Sequence, residues 1–109
     1  MLKAVFHRFH QNNSDFCGFQ VSGHAGYGEA VSEWEGNDIV CAAVSSCSML
    51  VCNAITDTFG VSADVKVEEN RISLELNEAD AAAVKLIAAL YEHLMTLSED
   101  YGNVKVEVK

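Results

Sequence analysis

The sequence predicts an α+β fold: a two-layer sandwich of a mostly antiparallel β-sheet with two helices on one face, in the order ββαββαβ. Three observations carry that prediction. Short segments such as "VSADVKVE" and "RISLEL" alternate apolar with polar residues, the period of a strand with one buried face. Two longer segments, from Asp38 to near Phe59 and from Asn77 to Gly102, repeat their apolar residues at helical spacing. The 109 residues contain no proline and no low-complexity stretch. Residues 1–109 are therefore expected to form one domain, long enough to bury its own core.

Each element has its own signal. "LKAVFHRF" and "DFCGFQVSG" read as a hairpin around the turn-forming "QNNS", with Cys17, Phe19 and Val21 on one strand face. The segment "HAGYGEAVSEWEG" has no clear period and reads as a long loop. Asn37 or Asp38 can cap the first helix, whose stripe is Val40, Val44, Cys47, Val51 and Ile55. Gly60 offers its stop signal. A second hairpin follows, Val61–Glu68 and Ile72–Leu76 around "EEN". Asn77 is the expected cap of the second helix, whose stripe is Ala79, Ala83, Leu86, Ile87, Leu90, Leu94 and Leu97. Gly102 ends it, and "VKVEV" alternates as a last strand.

Composition narrows the function. A net charge of −9 argues against direct nucleic-acid binding, which needs Lys and Arg against the phosphates. It favours basic partners through steering. The start "MLKAVFHRFH" lacks the pattern of a secretory signal. The apolar run Ile39–Ile55 carries three serines and Asn53 and is short for a membrane span. Three of the four cysteines, Cys41, Cys47 and Cys52, fall on one helix. Cys41 and Cys47 would stand about 9 Å apart along its axis, beyond disulfide reach. The expected protein is cytoplasmic, with reduced thiols, no membrane segment and no cofactor.

Cys41 is the candidate for chemistry. With Asp38 as cap it falls in the first helical turn, where unpaired N–H groups and the helix dipole favour a thiolate. A cysteine nucleophile needs a base, and His24 lies in the Gly-rich "SGHAGYG" at a strand end. His7, His10 and His93 lie on the first strand, at its exit and on the exposed side of the second helix. Ser45 shares the helix face of Cys41 one turn on. Zinc would have His24 and Cys41 but no clear third ligand, so no metal is expected.

Together, "GHAGYG" and "DIVCAAVS" resemble the ribosomal-processing cysteine protease family called Prp, whose members share a GHA segment, a Gly-rich loop and a DIVCA-type helix start. The resemblance covers the whole chain, with "AVSEWE" looking like an insertion between the two motifs. It implies that Cys41 is the nucleophile and His24 the general base, with Asp38 and Ser45 in support. It implies a loop that closes over substrate, with Gly26, Gly28 and Gly36 as its hinges. The implied activity is removal of the N-terminal extension from protein twenty-seven of the bacterial large ribosomal subunit, by a homodimer. The alternative from another class is a non-catalytic dimeric assembly factor that holds a peptide in the same groove.

Overall fold

The structure, a computed structural model, describes residues 2–23 and 35–109, with side chains from residue 39 onward in the second stretch. Its elements are β1 (Leu2–Arg8), β2 (Phe16–Ser22), α1 (Glu35–Asn53), β3 (Ala63–Glu68), β4 (Arg71–Leu76), α2 (Ala81–Tyr101) and β5 (Val104–Val108). The order is the ββαββαβ expected. The strands form one sheet in the order β3-β4-β2-β1-β5. Every neighbouring pair is antiparallel except β1 and β5, which run parallel.

The register explains the core. Phe6 lies opposite Phe19, and Phe19 opposite Leu74, so one row of large apolar side chains crosses the sheet. All three are fully buried. Phe6 sits 5.3 Å from the Phe16 ring and 5.2 Å edge-on from Tyr91 of α2, a geometry that aligns ring edges with faces. Ala83, Ile87, Leu90 and Leu94 are the buried residues of α2.

β2 departs from its expected face pattern. The pairing slips between His7 and Arg8, so that His7 faces Gly18 while Arg8 faces Phe16. This bulge leaves Cys17 as the extra residue. Phe16, rather than Cys17, joins Phe19 and Val21 in the core. The Cys17 thiol lies 3.6 Å from Glu75 Oε2 and 3.4 Å from the Arg8 carbonyl oxygen.

Two caps also differ. Asp80, not Asn77, caps α2: its carboxylate accepts from the Ala83 N–H at 3.0 Å. Asn77 closes the base of the β3–β4 hairpin, its N–H donating to the Ser62 carbonyl and its side-chain amide to the Ser62 hydroxyl. Gly102 ends α2 with φ at 76°, the left-handed stop for which glycine is suited.

α1 runs into a single π-helical turn, Ala54–Thr58, where the Phe59 N–H reaches back five residues to the Ala54 carbonyl. The segment Ile39–Thr58 is long and apolar enough to cross a membrane by length and composition alone, with a mean hydropathy of 1.9. In the fold, its Val40, Val44, Val51, Cys52 and Ile55 are core residues.

Candidate active site

Cys41 stands on α1, half-buried at the edge of the core. α1 begins at Glu35, so Asn37 and Asp38 lie inside the helix instead of capping it. Cys41 is therefore the seventh helical residue, in the second turn. An N–H there has a carbonyl four residues back to bond. The unpaired donors are those of the first turn, at Glu35 to Asp38. Helical Cα–Cβ bonds tilt toward the N-terminus, the end at which those donors lie. The dipole's pull is weaker one turn in than the expected placement implied.

The other expected site residues fall as follows. Ser45 is exposed one turn along α1 from Cys41. Gly36, expected in a loop, is the second residue of α1. His24, Gly26 and Gly28 lie outside the described residues. Gly23, the residue after β2, has a φ of 86°. The Gly23 N–H donates to the Asn70 carbonyl in the β3–β4 turn at 3.0 Å. Among the described residues, no group of three or more metal-ligating side chains could hold a metal ion.

The thiols of Cys17, Cys47 and Cys52 are each held in the protonated form more firmly than a free cysteine. Burial pushes the Cys17 thiol up, and the neighbouring Glu75 carboxylate adds to the effect. Burial also raises Cys47, whose Sγ donates to the Val44 carbonyl at 3.3 Å, with nearby backbone N–H groups opposing the rise. Cys52, only 1% exposed, is pushed up by burial to about 11.

That shift has a measurable consequence. An unfolded Cys52 thiol ionises near pH 9, whereas the folded one resists to about 11. Its contribution to stability is complete below pH 9 and is lost as pH rises toward 11. The loss is about 2 to 3 kcal/mol. Urea unfolding at pH 8 and pH 10.5 should show wild type losing more stability than Cys52→Ala across that interval.

Sequence reading missed a cavity beside this helix. It measures about 270 Å³ and is bounded by Gly23, Ser45 and Met49, by Leu2, Val21 and Ile72, and by Val67 and the turn after it. Its walls come from four separated segments, so no local motif marked it. Val67 had read as an ordinary alternating strand residue, but it is 58% exposed.

The sequence model of the family described as Cysteine protease Prp matches residues 1–105. No curated protein sequence matches the chain. Among solved structures, SMU.848 from Streptococcus mutans is similar with a TM-score of 0.79 at 26% identity, covering 100% of this chain and 96% of that one. The S. aureus essential ribosomal processing protease Prp with a substrate peptide gives 0.84 at 19% identity, covering 100% of both chains. The same S. aureus protease with a covalently linked product peptide gives 0.82 at 21%, again over 100% of both. The S. aureus likenesses show the shared fold. With its family model matched over nearly its whole length and its fold reproduced in those structures, the chain belongs to the cysteine protease Prp family.

Proposed function

We propose that this protein is a cytoplasmic, homodimeric endopeptidase of the Cys–His type. Its substrate is the N-terminal extension of protein twenty-seven of the bacterial large ribosomal subunit. The observation that carries the reading is the family match over residues 1–105, which contains both Cys41 and His24. Support comes from the S. aureus relative, a ribosomal processing protease seen with a substrate peptide and with a covalently linked product. The charge of −9 suits a basic ribosomal protein through steering and disfavours nucleic acid. The dimer is supported by the outward side of α1, where Ile39 and Leu50 are 62% and 69% exposed.

In the proposed mechanism His24 takes the Cys41 proton, and the thiolate attacks the scissile carbonyl carbon. N–H groups at the start of α1 stabilise the oxyanion. His24 returns the proton to the leaving amine, which departs and leaves a thioester on Sγ. A water, deprotonated by His24, attacks the thioester, and the thiol regains its proton. Asp38 in the first turn and Ser45 beside Cys41 support the site. Gly26 and Gly28 are the proposed loop hinges.

The test is to mix the purified protein with the unprocessed ribosomal protein and sequence the new N-terminus. Cleavage at one bond by wild type supports the reading. An intact precursor, or equal cleavage by Cys41→Ala, leaves the non-catalytic peptide-holding alternative in its place.

A further inference from the structure

The sheet face turned away from the core carries a second group of chemistry-bearing side chains. His7, Gly18 and Glu75 stand opposite one another on β1, β2 and β4. They alternate with the core row Phe6, Phe19 and Leu74, so this row belongs to the other face. The bulge at His7 and Arg8 places Cys17 beside it. The Cys17 Sγ lies 3.6 Å from Glu75 Oε2, and His7 Nε2 lies 3.8 Å from Oε1 of the same carboxylate. Gly18 makes room for that carboxylate, since a Cβ there would fall 2.7 Å from the Glu75 carboxyl carbon and Oε1. One carboxylate is thus seated over a glycine, between an imidazole and a thiol.

The order of these groups decides what the thiol can do. A cysteine nucleophile needs a neighbour that takes its proton and balances the thiolate, as an imidazole does. Cys17 instead faces two acceptors, the Arg8 carbonyl oxygen at 3.4 Å and Glu75 Oε2. Both suit an S–H donor. Loss of the proton would set two negative charges side by side, which disfavours the thiolate. Burial, the Glu75 charge and the Glu75 bond push the thiol up, in that order, against an opposing pull from the residue's own N–H. Other charged groups border the row: Asp64, opposite Glu75 on β3; Arg8, beside His7; and Lys109, whose N–H bonds the Phe6 carbonyl. Glu75 is the one that the thiol bonds. We propose that Glu75 is a guard residue: seated over Gly18, it keeps the partly exposed Cys17 protonated and closed to electrophiles. The guard makes the protein's thiol chemistry selective, because Cys17 is not protected by depth. It acts whether or not the protein is a protease, so the proposal is independent of the reading above.

The experiment is site-resolved alkylation of the purified protein with iodoacetamide at pH 7, read by peptide mapping. Glu75→Gln keeps the shape of the side chain and removes its charge. It should speed labelling of Cys17 by about three- to tenfold, the gain in thiolate less the fall in its nucleophilicity. The pH at which that labelling is half-maximal should fall as well. Asp64→Asn makes the same change in charge one strand further out. It should leave the Cys17 rate within about twofold of wild type. The buried Cys52 reports on the fold, and its rate should stay at the wild-type level in both variants. Unchanged Cys17 labelling in Glu75→Gln overturns the proposal, and so does an equal gain from Asp64→Asn. If Cys52 labelling rises too, the fold has loosened and wild type decides. Its Cys17 should favour neutral iodoacetamide over anionic iodoacetate about threefold more in the folded protein than in the urea-unfolded chain. An equal preference in the two states overturns the guard.

Discussion

Cys41→Ala is expected to lower cleavage of the precursor junction by roughly 10⁴- to 10⁶-fold, the scale on which removal of a covalent nucleophile acts. The fold should persist. Cys41 is only half-buried, at the edge of the core, and truncation there costs about 1 kcal/mol. Cys17→Ala is the informative comparison. Its thiol lies beside Glu75, away from α1, so that variant should cut at close to the wild-type rate. His24→Ala should lower the rate by about 10²- to 10⁴-fold, the usual contribution of a general base. Steady-state cleavage assays with circular dichroism on each variant separate lost chemistry from lost structure. If Cys41→Ala retains a tenth of the activity, Cys41 is not the nucleophile.

Gly18→Ala should be the most damaging conservative change in the sheet. A Cβ at that position would fall 2.7 Å from the Glu75 carboxyl group and closer still to the Leu74 carbonyl oxygen. The carboxylate can swing away, but the carbonyl belongs to the backbone of β4, and Gly18 pairs directly with Glu75 in the register. Relief requires β2 and β4 to separate at the point where Phe19 and Leu74 are fully buried. The expected loss is about 2 to 4 kcal/mol. For a domain of this size that is roughly 10 to 20 °C in Tm. Adding Glu75→Ala removes the side-chain clash alone and should restore only a minor part. A Gly18→Ala melt within about 2 °C of wild type contradicts the close approach of the two strands.

The alternating and helical periods of the sequence were enough to read the elements and their order, because apolar spacing reports directly on which side of an element is buried. Sheet order was not legible, since it depends on pairings between distant segments such as β1 with β5. The misread positions have separate local causes. Cys17 was placed by strict alternation, which a bulge breaks; Gly18 inside the strand pattern was the only local hint of it. Asn77 and Asp80 are both good caps. The choice went to Asp80 because Asn77 was taken up by Ser62. Asp38 looked like a cap because the apolar run starts after it, but backbone helix extends back to Glu35. For the site, Cys41 stood out in the sequence because it lies near the start of an apolar run and follows a histidine-bearing motif; the structure places it in the second turn of α1. The cavity at Met49 and Val67 did not, because neither residue departs from ordinary core composition.

The central claim is that Cys41 alone among the four cysteines does chemistry. Site-resolved alkylation with iodoacetamide at pH 7, followed by peptide mapping and a cleavage assay on each time point, tests it most directly. Cys17, Cys47 and Cys52 are all pushed up by burial, so they should label slowly. Cys41 should label first, and activity should fall in step with its modification, one equivalent abolishing cleavage. Modification of Cys41 that leaves cleavage intact, or loss of activity that tracks another cysteine, would contradict the account.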